Sequence, residues 1–261
     1  NPETGTYNAA AAGKHYVKVS RYRGTGSYQL TVTFQGASGG GGGTEPPPVT
    51  GCSYGSRPAK PSGLTTYLTG ATTDTCPALT AGQGSLLLMG GGADVDAAFS
   101  LRVGPQIKGG NVVVLRTSGT NAYNSYLQGL TNAASVETLI IDTTTKANSA
   151  YVEWAIKAAE AVFIAGGDQS DYLNQWQGTK VQDALMHVYN KGGAVGGTSA
   201  GAAILSQTMI AGGNPQPEIQ NGLGLACRIG QVVIPPDHMG HAHVMVIDHH
   251  GEHIGGRSIR A

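Results

Sequence analysis

The sequence predicts an α/β protein built on a doubly wound, mostly parallel sheet. Apolar runs of strand length alternate with stretches of helical periodicity, and glycines cluster where the apolar runs end. Continuous apolar runs are typical of parallel strands covered on both faces, and right-handed crossovers place the helices there. The expected strands are Leu86–Met89, Val112–Leu115, Thr138–Ile141, Ala161–Ala165 and Gly193–Gly196. The expected helices fall within Ala93–Val103, Asn121–Asn132, Asn148–Glu160 and Val181–Lys191.

A separate region precedes this domain. Between Tyr28 and Phe34, apolar and polar residues alternate with the period of a half-buried strand. Val17 and Val19 alternate with Lys18 and Ser20 in the segment ahead of it, so the two stretches are expected to form a hairpin. An isolated hairpin is only marginally stable, so we interpret residues 1–35 as the C-terminal part of a small β-sandwich. Residues 36–51 combine a glycine run with three prolines and are interpreted as a linker. Residues 52–261 then form the α/β domain, which we expect to be incomplete at its C-terminus.

Composition excludes several classes of function. The 261 residues carry a net charge of zero, and charged residues make up 12% of the chain. Nucleic-acid binding needs clustered Lys and Arg, and a membrane span needs about 18 or more consecutive apolar residues; neither feature is found in the sequence. Low charge with abundant small polar residues favours a secreted or periplasmic location. Cys52 and Cys76 could pair in such a compartment, which would leave Cys227 free.

The strongest chemical motif is the G-x-S-x-G segment Gly197–Gly201. It follows a predicted strand and opens a predicted helix, which is the context of a nucleophile elbow. Ser199 is therefore the candidate nucleophile. The backbone N–H of Ala200, the following residue, is a candidate oxyanion donor. A glycine-rich turn that binds phosphate is the alternative interpretation.

Together with the segment Phe163–Gln169, this motif resembles the cyanophycinase family of serine peptidases, relatives of dipeptidase E. Gly90–Gly92 and Asn221–Leu225 share the resemblance, which extends from about Gly84 to Asp248. It implies a class I glutamine amidotransferase-like fold and hydrolysis of aspartyl or β-aspartyl-arginine (cyanophycin-like) peptide bonds without a cofactor. Dimers occur in that family, so a homodimer is one expectation. Residues 1–35 resemble the end of a bacterial pre-peptidase domain.

The resemblance also assigns further site residues. Glu218 matches the family acid and His250 the family base, which together with Ser199 would form a triad. Gly167 is the second expected oxyanion donor. The residues expected to bind substrate are Asp168, Gln169, Asp248, His249 and Arg257.

Alternatives remain at several of these positions. His249 is the rival of His250 as base, and Asp168 or Ser170 could simply cap a helix. Six of the eight histidines lie between His238 and His253, so a metal-dependent hydrolase is a second hypothesis, although the spacing matches no familiar metal site. A non-catalytic binding protein on a peptidase scaffold is a third.

Overall fold

The computed structural model describes residues 54–212, residues 216–226 and the backbone of the strand Val244–Ile247. The chain divides into two units, Asn1–Thr44 and Glu45–Ala261, and every described residue lies in the second. The predicted β-sandwich end (1–35) and linker (36–51) lie outside the described residues, so these assignments stay predictions.

A mostly parallel sheet forms the centre of the described region. Its seven strands run in the order β1-β4-β3-β5-β6-β2-β9. The inner five strands are parallel, whereas the two outermost strands, β1 and β9, run antiparallel to their neighbours. Two further strands, β7 and β8, form a separate antiparallel hairpin. The strands are β1 Thr65–Gly70, β2 Ser85–Met89, β3 Asn111–Arg116, β4 Ser135–Ile140, β5 Ala161–Ile164, β6 Ala194–Thr198, β7 Thr208–Gly212, β8 Glu218–Asn221 and β9 Val244–Ile247.

Helices cover both faces of this sheet. They are α1 Asp96–Ala98, a π-helix at Phe99–Val103, α2 Gly104–Ile107, α3 Asn124–Thr131, α4 Thr144–Ala147, α5 Ala150–Ala158, α6 Gln169–Trp176, α7 Lys180–Asn190 and α8 Ala200–Ile204. Polar residues begin several of them: Ser149 accepts a hydrogen bond from Val152 N–H at the start of α5, and Thr179 accepts one from Val181 N–H at the start of α7. Such caps satisfy N–H groups that lack a partner within the helix.

Side-chain alternation along the strands produces two separate cores. Leu86 and Leu88 point into a core with α5–α8, whereas Leu87 and Met89 point into a core with α3 and the helical segment from Asp96 to Ile107. Both faces are therefore apolar, as continuous apolar strands require. The predicted α/β class and mostly parallel sheet are confirmed.

The structure adds elements that the pattern did not reveal. All five predicted strands are present, but β1, β9 and the β7–β8 hairpin were missed. The helix expected within Ala93–Val103 begins at Asp96 and continues to Ile107 through the π-helix. Pro105 follows that wide turn, and since proline has no N–H to donate, the regular hydrogen-bond ladder is interrupted there. Within the described ranges, no helix is long and apolar enough to cross a membrane.

Candidate active site at the end of strand β6

Ser199 occupies a strained turn between β6 and α8. Its backbone has φ +52° and ψ −121°, a conformation that costs a non-glycine residue about 1–3 kcal/mol. The side chain is exposed, although the five residues of β6 before it and Ala200 after it are buried. The fold therefore maintains an unfavourable conformation and presents one hydroxyl above the sheet.

Hydrogen bonds from the neighbouring strand hold this turn in place. Ser199 N–H donates to Met89 O at 3.1 Å and to Gly90 O at 3.3 Å. Thr198 Oγ1 also donates to Gly90 O, at 2.9 Å. The end of β2 thus fixes the backbone that leads into Ser199.

The two glycines of the G-x-S-x-G motif permit the sharp turn. A Cβ atom at Gly197 would lie 2.4 Å from the backbone of Gly201, and one at Gly201 would lie 2.0 Å from Ile164 O. Real Cβ atoms do not approach backbone atoms so closely, so only glycine fits at either position. The motif is needed to pack α8 directly against the ends of β5 and β6.

Three glycine-rich strand ends meet around Ser199. Met89 of β2 is paired with Thr198, and Ile164 of β5 is paired with Gly197, so all three strands end at the same edge. A Cβ atom at Gly91 would lie 3.7 Å from Ser199 Oγ, and one at Gly166 would lie 3.5 Å from Ser199 Cβ. The glycines leave open space beside the hydroxyl, at the carboxyl-terminal edge where parallel sheets bind ligands.

The turn after β5 presents Gly167 beside this edge. Tyr172 Oη donates to Ala165 O at 2.8 Å and to Gly166 O at 3.2 Å, and its ring stacks on Trp176 with centroids 4.4 Å apart. Burial raises the pKa of Tyr172 to about 12, so its hydroxyl remains a donor at neutral pH. The turn is therefore rigid, and Gly167 itself is exposed at its tip.

Asp168 and Gln169 both make contacts within the protein. Asp168 caps α6 by accepting a hydrogen bond from Ser170 N–H at 2.8 Å. Gln169 Nε2 donates to Ile210 O at 3.3 Å, which ties α6 to the β7–β8 hairpin. The capping interpretation thus applies to Asp168, and a substrate role for either residue stays a prediction.

Glu218 lies in the same hairpin. It begins β8, is paired with Gly212 of β7, and is exposed. Although prolines at positions 215 and 217 precede it, Glu218 lies in a strand and not in a loop. Its role as the acid stays a prediction.

The remaining predicted site residues lie outside the described residues. These are Asp248, His249, His250 and Arg257, and the rest of the histidine-rich segment lies there too. Strand β9 immediately precedes Asp248; Val244 is paired with Met89 at the Ser199 edge and Ile247 with Leu86 further from it. Within the described portion of the chain, no group of three His, Cys, Asp or Glu residues could hold a metal ion.

Comparison with known families identifies the domain. Residues 116–246 match the model of peptidase family S51, a range that includes Ser199 and Glu218 and ends just before Asp248. The chain belongs to peptidase family S51. The sequence therefore predicted the dipeptidase E and cyanophycinase relationship correctly at the level of the S51 family.

Solved structures similar to this S51 chain include two peptidases. One, a peptidase from an acI-B1 actinobacterium, is 18% identical; the match covers 56% of this chain and 67% of that one, with a TM-score of 0.45. The other, a putative peptidase E protein from Listeria monocytogenes EGD-e, is 16% identical; the match covers 55% of this chain and 75% of that one, with a TM-score of 0.38. No curated protein matches the chain.

Proposed function

We propose that this S51 protein is a serine peptidase that cleaves its substrate through an acyl-enzyme on Ser199. The observation that carries the proposal is the Ser199 turn, with a positive φ at a non-glycine residue and an exposed hydroxyl. Strain of this kind persists only where the surrounding structure enforces it, and it is concentrated at functional sites. Membership of a peptidase family supports a nucleophilic role for the exposed serine.

In the proposed reaction, Ser199 Oγ attacks the scissile carbonyl while His250 accepts the hydroxyl proton. Glu218 orients His250 and stabilises the imidazolium ion. The N–H groups of Ala200, in the first turn of α8, and of Gly167 donate to the oxyanion. The protonated His250 then gives its proton to the leaving amine, and water hydrolyses the acyl-enzyme.

The proposed substrates are aspartyl or β-aspartyl-arginine peptides of the cyanophycin type. This proposal rests on the resemblance to cyanophycinases, with Asp168, Gln169, Asp248, His249 and Arg257 as the expected substrate-binding residues. The open edge left by Gly91 and Gly166 suits a substrate whose backbone must approach the serine closely.

We also propose that the protein is exported. Cys76 forms a disulfide bond. Disulfides persist mainly in oxidising compartments, which supports a secreted or periplasmic location together with the low charge. The partner of Cys76 lies outside the described residues, so its pairing with Cys52 stays a prediction.

Hydrolysis assays test the function. Purified protein is incubated with cyanophycin, β-aspartyl-arginine, α-aspartyl dipeptides and neutral dipeptides, each with and without a chelator. We expect cleavage of the aspartyl substrates that is unaffected by the chelator. Cleavage of neutral peptides alone would overturn the substrate, abolition by the chelator would favour the metal-dependent alternative, and no cleavage by folded protein would contradict the peptidase.

A further inference from the structure

Two side chains of opposite charge lie on the α3 side of the Ser199 edge. Asp94 follows the glycine-rich end of β2, three residues after Gly91, and Arg116 is the last residue of β3. Neither residue belongs to the motifs that predict the site. Both are partly buried, although charged side chains in proteins are mostly exposed.

Each side chain has one atom bound and another left without a partner. Asp94 Oδ2 accepts a hydrogen bond from Tyr123 Oη at 2.7 Å, and Arg116 Nη1 donates to Thr120 O at 3.4 Å. By contrast, Asp94 Oδ1 and Arg116 Nε are buried, and neither has a hydrogen-bond partner in the described structure. Buried polar atoms nearly always have partners, so this acceptor and this donor mark places where a bound water or a ligand group would complete the hydrogen bonding.

The surrounding loop holds these two groups in fixed positions. Gly119 has φ +102°, and a Cβ atom there would lie 2.8 Å from Arg116 Cζ, so the loop closes over the guanidinium only because residue 119 is glycine. Tyr123 packs its ring on Phe163 of β5, with centroids 5.1 Å apart. Burial, together with the bond to Asp94, raises the pKa of Tyr123, so it remains the donor that orients the carboxylate.

Asp94 and Arg116 are both close to Ser199, the first along the chain and the second across the sheet. Gly91 faces Ser199 Oγ directly, and the chain from Gly91 to Asp94 spans at most about 10 Å. Ala165 N–H donates to Leu115 O at 3.2 Å, which places the end of β3 beside the turn that contacts Ser199. Strand β3 is two strands from β6, about 10 Å at the usual spacing. The backbone of both residues thus lies within about 10 Å of the Ser199 turn.

We propose that Arg116 and Asp94 form the subsite that binds the acyl residue of the substrate, with Arg116 binding a carboxylate and Asp94 an ammonium group. The inference rests on the proposed function and assigns specificity residues to it. An amino-terminal aspartyl residue, linked through either its α- or its β-carbonyl, carries one ammonium and one further carboxylate within three bonds of the scissile carbonyl. Charge-assisted hydrogen bonds to both groups would position that carbonyl next to Ser199 Oγ.

Protection of Ser199 from a fluorophosphonate label tests this subsite. The probes are L-aspartate, succinate, which lacks the ammonium group, and β-alanine, which lacks one carboxylate. In wild-type protein, aspartate should protect Ser199 at concentrations at least about tenfold lower than either analogue, because each analogue forfeits one charge-assisted contact.

Two conservative variants separate the contributions. Arg116→Lys keeps the charge but loses the Nε donor, and should remove the preference for aspartate over β-alanine. Asp94→Asn keeps the shape and should remove the preference for aspartate over succinate. Arg102→Lys, at an exposed arginine of the π-helix, is the matched control and should protect like wild type.

Each outcome decides the inference. If Ser199 is labelled but aspartate gives no protection, or if both variants keep the wild-type order of the three probes, the subsite is wrong while the serine peptidase proposal stands. If folded wild-type protein takes no label at Ser199, the proposed function fails and the subsite fails with it.

Discussion

Glycines have opposite roles at the two edges of the sheet where the parallel strands end and begin. At the carboxyl-terminal edge, glycines surround an exposed and strained Ser199. At the amino-terminal edge, Gly110 and Gly193 pack against Glu160, where a Cβ atom at Gly110 would lie 2.4 Å from Glu160 Oε2. There the glycines enclose a buried carboxylate instead of opening space for a ligand.

The two edges differ more clearly in whether their buried polar atoms have hydrogen-bond partners than in their glycines. Glu160 accepts a hydrogen bond from Asn111 N–H at 2.7 Å and pairs with Lys191, with 3.6 Å between Nζ and Oε1. Lys191 Nζ also donates to Lys157 O and Ala158 O. The amino-terminal edge is thus a closed network, whereas the Ser199 edge has an exposed serine hydroxyl and two buried polar atoms without described partners. A glycine cluster by itself indicates only close packing. A candidate active site is indicated by neighbouring polar atoms that are exposed or lack hydrogen-bond partners.

The largest expected effect is the loss of activity in Ser199→Ala. Removing the nucleophile should lower kcat by about 10⁴-fold or more. The free energy of unfolding should change little, since the exposed hydroxyl contributes little to packing. Ser206→Ala, at a serine seven residues further along whose hydroxyl donates to Ala203 O, is the control and should keep wild-type activity. Equal activity in both variants would remove Ser199 from the mechanism.

Second in size are the effects of the proposed base and acid. His250→Ala and Glu218→Gln should each lower kcat by about 10²–10⁴-fold, because proton transfer and orientation of the base are lost. His243→Ala, one residue before β9, is the histidine control. A larger loss in His243→Ala or in His249→Ala than in His250→Ala would reassign the base.

A third prediction concerns the packing at the Ser199 edge. Gly201→Ala places a Cβ atom 2.0 Å from Ile164 O, so the free energy of unfolding should fall by at least about 1–3 kcal/mol. Gly129→Ala is the matched control: it lies in α3, and a Cβ atom there would meet nothing within 4 Å. It should be neutral or stabilising by up to about 1 kcal/mol. Chemical denaturation of both variants measures the difference.

The smallest expected effect belongs to the amino-terminal edge. Burial raises the pKa of Glu160 to about 6 from 4.5, so the folded state binds the proton more tightly than the unfolded state. The contribution of Glu160 to stability should be present below pH 4.5 and decline as the pH rises to about 6, by up to about 2 kcal/mol. Glu160→Gln should remove this pH dependence without altering activity at Ser199.

Glu153→Gln provides a control of opposite sign for that experiment. The hydrogen bond from Lys157, together with that from Lys180, lowers the pKa of Glu153. Its contribution is therefore present at neutral pH and is lost as the pH falls through the lowered pKa. Equal pH profiles for wild type and Glu160→Gln would show that the closed network does not titrate as described.

The sequence predicted those features that depend on local pattern. The five parallel strands are continuous apolar runs, and the Ser199 turn has a local signature at residues 197–201. By contrast, β1 has the half-buried pattern of an edge strand, in which polar threonines surround Tyr67 and Leu68. Its pairing with β4 depends on long-range contacts that no short window contains.

The Asp94 and Arg116 pair was missed for a related reason. Nothing in the sequence around either residue distinguishes it from an ordinary surface charge. The significance of the pair comes from burial and from one atom of each that lacks a partner, and both are properties of the folded chain. Family resemblance alone suggested Glu218 as the acid, which stays a prediction, and its strand was not expected.

The central claim is that the fold makes Ser199 a nucleophile, and mapping a fluorophosphonate label tests this most directly. Native protein is treated with the probe, digested and analysed by mass spectrometry, with heat-unfolded protein as the control. We expect one label per chain, located on Ser199 and absent after unfolding. A native, folded protein that carries no label, or carries it on another serine while Ser199 stays unmodified, would show that the fold does not make Ser199 a nucleophile.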